Sequence, residues 1–275
     1  MIKDKKKKRK FKINSDSILF ILTTVLTITT IVMLIIGVFG KDNLDGNDKL
    51  ISKLHGYFNS DDLSNCEGLF NYSDRLINYD SVDSETRVCL AYQKAKIKKI
   101  EKGTIKAEKD ADTCSYKGLV FRTDEKGKKC SYKKIKREVI DESYKMLFGK
   151  EIEGNDSFRI DNLNICYLKD DYYYCGLSET FTYTISSESM IYRVVNKAEE
   201  KGNSIVIYDY FAKIKDDECY SNYTTASINQ KCSDKYSSKR KVNYKFLKKY
   251  GTEYKHIYQK ANDGSYYWVS SEPIN

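Results

Sequence analysis

The longest apolar run in the chain is SILFILTTVLTITTIVMLIIGVFG, and nothing from Ser17 to Gly40 is charged. A helix of that length spans about 36 Å at about 1.5 Å per residue, enough to cross a hydrocarbon core of about 30 Å with some tilt. The spacing predicts one transmembrane signal anchor over 17–40. Apolar positions then recur with helical spacing at Leu50, Ile51, Leu54, Tyr57 and Phe58, with Asn47 as cap, and again at Val88, Ala91, Tyr92 and Ala95. A third helical pattern runs through SYKKIKREVIDESYKMLFG, with Ser131 as cap, Ile135, Val139, Met146 and Leu147 inward and Gly149 as the stop. Residues 101–130 are polar and read as an irregular connection. After Gly149 the period shortens to two in SFRI, ETFTYTIS, SMIYRVVNKAE, SIVIYDYFAKIK, EYKHIYQK and SYYWVSSE, with Gly202-Asn203 and ANDG as turns. The expected fold class is α+β: a transmembrane helix, about three further helices, then one antiparallel sheet of about six or seven strands. The corresponding divisions are an arm at 1–16, the span at 17–40, a helical region at 41–130 and an α+β domain at 131–275.

All eight cysteines lie beyond residue 40. An even set in an exported domain argues for disulfides, although counting alone leaves many connectivities. In NICYLKDDYYYC a two-residue turn at Asp170-Asp171 pairs Lys169 with Tyr172, Leu168 with Tyr173, Tyr167 with Tyr174 and Cys166 with Cys175. The two sulfurs then face each other; a three-residue loop would shift the partner by one. Nearest-neighbour gaps favour Cys66 with Cys89, Cys114 with Cys130, and Cys219 with Cys232, and for these three buried free thiols stay open as the alternative.

Charge decides orientation rather than ligand. The arm carries eight basic and two acidic residues, a net +6 of the chain's +9, which leaves +3 for everything else. A basic flank holds the arm in the cytoplasm and sends the rest of the chain outside. The balanced remainder offers no electrostatic funnel for phosphates, so no nucleic-acid partner is expected. A cleaved signal peptide competes with the anchor, but its apolar core would be shorter, and Val38-Phe39-Gly40 fits a cleavage site poorly.

Catalytic motifs are sparse. Ser131-Tyr132-Lys133-Lys134 satisfies S-x-x-K without the partner motifs of an acyl-serine enzyme. KDNLDG departs from a calcium loop at Lys41 and Ser52. No C-x-x-C exists, and His55 and His256 are the only histidines, so no metal site and no cofactor are expected. Both histidines read as packing or surface residues. Acid clusters at Asp170-Asp171 and Asp216-Asp217-Glu218 read as solvated turns, and no catalytic residue is assigned. Tyrosine richness, twenty-four in all, remains. Tyr172, Tyr174, Tyr208, Tyr210, Tyr266 and Trp268 form the candidate binding face, because exposed aromatics on a rigid sheet offer contact area at low entropy cost. The competing reading packs these rings into a sheet core.

YKMLFG at 144–149, IVIYDYFA at 205–212 and YKHIYQKANDGSYYWVSSEP at 254–273 together resemble single-pass exported proteins of low-GC Gram-positive bacteria. The resemblance implies an NTF2-like or cystatin-like cone of helix against curved sheet in the C-terminal half, and no activity. The functional expectation is a membrane-anchored extracytoplasmic module that binds a cell-envelope or protein partner without catalysis. An envelope enzyme with a dispersed active site is the alternative.

Overall fold

The structure, a computed structural model, describes residues 43–44, 48–58, 66, 69–97, 100–154, 157–180 and 189–274. The arm, the apolar span at 17–40 and Asn47 lie outside the described residues. Among those described, no helix is long and apolar enough to cross a membrane.

In chain order the elements are β1 (Asn43–Leu44), α1 (Lys49–His55), β2 (Ile77–Asn78), α2 (Ser84–Lys94), β3 (Glu101–Lys106), β4 (Thr113–Tyr116), β5 (Leu119–Arg122), β6 (Lys129–Lys136) and α3 (Arg137–Phe148). There follow β7 (Ser157–Arg159), β8 (Asn164–Lys169), β9 (Tyr172–Leu177), β10 (Met190–Lys201), β11 (Ser204–Lys215), β12 (Glu218–Tyr220), α4 (Gln230–Ser233), α5 (Tyr244–Tyr250), β13 (Thr252–Lys260) and β14 (Tyr266–Ile274). They build a seven-stranded sheet in the order β1-β10-β11-β13-β14-β2 with β12 beside β11. A five-stranded sheet runs β3-β6-β9-β8-β7, and β4-β5 stand as a ribbon. Every pairing is antiparallel.

This corrects the expected fold class. The molecule is mostly sheet, in three sheets rather than one, and five α-helices are interleaved with the strands among the described residues. The error lies in 101–136. The stretch read as irregular forms β3, β4 and β5, and the segment capped by Ser131 is the strand β6, with α3 starting only at Arg137. Lysines at alternate positions hide strand periodicity, because both faces read as polar. Ile135 joins the same core from a strand that it would have joined from a helix. β6 also runs through the division placed at 130/131, and residues 43–275 make one compact unit.

Local chemistry explains the elements read correctly. Asp48, rather than the expected Asn47, caps α1, its carboxylate accepting from the Leu50 N–H, and that of Asp83 accepts from the Thr86 N–H at the head of α2. α3 ends at Gly149, whose φ of +67° is the left-handed conformation that glycine adopts without strain. Asp170 and Asp171 take φ values of +50° and +60°, a two-residue turn of the primed kind, and the β8–β9 register follows: Cys166 faces Cys175.

All four expected disulfides are present: Cys66–Cys89, Cys114–Cys130, Cys166–Cys175 and Cys219–Cys232, with Cα separations of 5.6, 6.0, 4.0 and 5.7 Å. Cys114–Cys130 ties the small ribbon to β6. Cys166–Cys175 lies in the main core with Trp268, Phe58 and Tyr173.

Candidate functional site

β11 is the middle of the large sheet, and side chains cover both of its faces. Val206, Tyr210, Ala212 and Ile214 point one way, the last three into a cluster with Phe246 and Leu247 of α5. Ile205, Ile207 and Phe211 point the other way, and Asp209 shares their face by the two-residue alternation of a strand. One carboxylate therefore sits in an otherwise apolar row at 0% exposure. Unpaired, it would cost several kcal/mol, so its partners are the question.

Three donors answer it. His256 on β13 donates from Nε2 to Asp209 Oδ1 at 3.1 Å. His55, at the end of α1, donates from Nε2 to Oδ2 at 2.6 Å, and the Tyr72 hydroxyl donates to the same oxygen. Behind Tyr72, Arg193 of β10 donates from Nη1 to the tyrosine oxygen at 3.5 Å, so a hydroxyl bridges the guanidinium and the carboxylate.

The row continues past His256. Ser271 on β14 is directly opposite His256 in the register, and its Oγ lies 2.6 Å from His256 Nδ1. Trp268 donates from Nε1 to that Oγ at 2.8 Å. The Asp209 carboxylate can only accept, which places the imidazole proton on Nε2 and leaves Nδ1 to accept from the Ser271 hydroxyl and, at 3.4 Å, from Asn71 Nδ2. A β-bulge makes the arrangement. The β13–β14 register shifts between Ile257 and Tyr258, so Trp268 and Ser271, three residues apart, share the inward face.

Burial would by itself raise the pKa of Asp209; His256, then His55, outweigh it and hold the carboxyl well below its usual range. Burial lowers His55 below 6.5 against the opposing pull of Asp209, with Arg193 and His256 adding to the depression. Burial and then the Asp209 charge push the Tyr72 hydroxyl well above 10. The cluster thus holds an ionised carboxylate beside a neutral phenol and a His55 imidazole that resists protonation.

Ser271, His256 and Asp209 reproduce the hydrogen-bond order of a nucleophile, a base and an orienting acid. Reach is what they lack. Ser271 and His256 are each 1% exposed, under Trp268, itself 1% exposed. The His55 side chain, at 16%, and the half-buried Arg193 behind Tyr72 are the members that come to the surface. Both histidines spend a ring N–H on Asp209, and among the described residues no group of three or more His, Cys, Asp or Glu is placed to hold a metal ion.

The tyrosine face is not a face. Tyr266 and Trp268 belong to the main core, Tyr210 to the cluster under α5, and Tyr174 to the cluster beneath the small ribbon. Tyr172 and Tyr208 are half-buried; Lys134 Nζ covers the first ring at 3.9 Å and Lys197 Nζ the second at 4.3 Å. Both faces of these strands are covered, so alternation buries rings on either side. Asp170-Asp171 and Asp216-Asp217 occupy exposed turns.

The sequence offers both histidines only as packing or surface residues and does not single out Asp209, Ser271, Tyr72 or Arg193. One signal was there: the lone acid of IVIYDYFA, on a strand otherwise apolar on that face, required a partner. Compared with known proteins, the chain matches no family model, no curated sequence and no solved structure.

Proposed function

We propose that the protein is a membrane-tethered extracytoplasmic module, held by four disulfides, that binds a partner of the cell envelope and performs no chemistry. The observation that carries this reading is the pairing of all eight cysteines, each with its neighbour in the chain, inside one compact unit. Disulfides in such number persist in oxidising compartments and are rare in a reducing cytosol. The uncharged run at 17–40 behind a lysine-rich arm supplies the tether and the direction. Binding is preferred to catalysis because the Ser–His–Asp array is buried and Trp268 donates to its serine oxygen.

Protease treatment of intact cells tests the topology. A tagged C-terminal region should be digested, and cysteine alkylation without reductant should label none of the eight thiols. A protected C-terminus or free labelling would overturn the reading.

The hydrogen-bond order of Ser271, His256 and Asp209 favours a second reading, an envelope hydrolase that opens before it acts. A fluorophosphonate probe separates the two. Labelling of the wild type that disappears in Ser271→Ala supports the hydrolase; absence of labelling supports the binding module.

A further inference from the structure

The five-stranded sheet ends in a feature that opposes its own stability. In the β3–β6 register, Lys102 faces Lys133, Thr104 faces Ser131, and Lys106 faces Lys129. All six residues are exposed and project from one side of the ribbon, while Gly103, Ile105, Cys130 and Tyr132 turn to the other. Like charges directly opposite each other on a ladder are destabilising. Here the arrangement occurs twice in six residues, with only a hydroxyl pair between.

Among the described residues none of the four ammonium groups forms an ion pair within 4 Å, although Asp124 feels the charge of Lys129. Glu101, at the start of β3, pairs instead with Lys134 on the opposite side. The four lysines form a rectangle about 5 Å across the strands and about 13 Å along them, with the Thr104 and Ser131 hydroxyls at its centre.

We propose that this ladder is a docking strip for a linear polyanion whose phosphate groups lie along the ribbon, each lysine pair neutralising charge and the central hydroxyls donating to phosphate oxygens. The shape of the strip selects a chain over a membrane surface. On its inner side β6 pairs with β9, where Tyr173 and Cys175 share the lysines' face but are buried in the main core. The body of the protein therefore rises beside the strip, and a flat bilayer would meet it before reaching the lysines. On its outer side β3 is the edge strand of the sheet, open to an elongated ligand. The inference deepens the envelope-binding reading and rests on it for its setting.

The test uses the full-length chain on beads carrying long-chain inorganic polyphosphate and on beads carrying a phosphatidylglycerol bilayer. Wild type should bind polyphosphate with a slope of log affinity against log salt of about −3, for four cations at about 0.7 each on a single chain. Lys102→Glu with Lys106→Glu should lower that affinity more than tenfold while leaving Tm equal or higher, because each new carboxylate faces a lysine. Lys102→Gln with Lys106→Gln should lower it without the gain in Tm, and Lys245→Glu with Lys248→Glu on α5 should leave it unchanged. Three results would overturn the proposal: no polyphosphate binding by wild type, equal losses from the α5 variant, or capture by the bilayer alone. Each of these leaves the exported topology standing, because that stands on protease access and thiol labelling.

Discussion

Replacing Asp209 with asparagine removes one buried charge at constant volume. Asparagine offers a single carbonyl oxygen in place of two carboxylate oxygens. Turned toward His256 Nε2, it presents its NH2 group to the Tyr72 and His55 donors. Two charge-assisted hydrogen bonds are lost, each worth about 1.5–3 kcal/mol. Arg193, bridged to the carboxylate through Tyr72, loses its counter-charge, and breaking a buried pair from one side costs about 3–5 kcal/mol. The two figures describe the same loss, so the destabilisation should be about 4 kcal/mol. For a unit of this size that is a fall in Tm of about 8–16 °C.

The assay is thermal unfolding followed by circular dichroism from pH 8 to pH 5 with the disulfides intact. Wild type should lose stability as pH drops below 6.5. The folded state holds the His55 imidazole below that value, so the unfolded chain takes up its proton first. The stability His55 contributes is present above 6.5 and drains as pH falls toward the folded value, and His55→Gln should flatten that limb. A drop in Tm under about 2 °C for Asp209→Asn, or a wild-type Tm that climbs from pH 7 to pH 5, would refute the account of the buried row.

Other perturbations test the scaffold around it. Cys114→Ser with Cys130→Ser opens a loop whose ends are 16 residues apart and should cost about 3 kcal/mol in thermal unfolding; an unchanged Tm would mean that the ribbon is held by packing alone. Gly103→Ala places a Cβ 2.2 Å from Cζ of the Tyr132 ring that lies over it, and should cost about 1–3 kcal/mol. Adding Tyr132→Leu should recover part of that loss; strict additivity in urea unfolding would contradict the contact. Asp171→Gly relieves a left-handed residue in the β8–β9 turn and should raise the stability read from urea unfolding by about 1 kcal/mol with m unchanged, whereas a lower midpoint would mean that the carboxylate holds the turn.

The disulfides, the Asp170-Asp171 turn and the glycine stop of α3 were readable because each depends on residues close in sequence. Two thiols 9 positions apart around a two-residue turn meet through backbone geometry alone, and Gly149 stops α3 through its own φ. Residues 101–136 failed for a tertiary reason: the lysines of β3 and β6 look outward from a ribbon whose other side is closed by β4–β5, and neither covering is encoded in local periodicity. The tyrosine face failed likewise, since which of two alternating faces stays bare depends on what packs against it. The buried row lay furthest from view. Asp209, His256 and Ser271 come from three adjacent strands, aligned by a bulge between β13 and β14, and His55 and Tyr72 close over them from segments more than a hundred residues away. Sequence dictated that a lone carboxylate in an apolar strand must be answered; only long-range packing, which brings distant donors into one low-dielectric volume, chose what answers it.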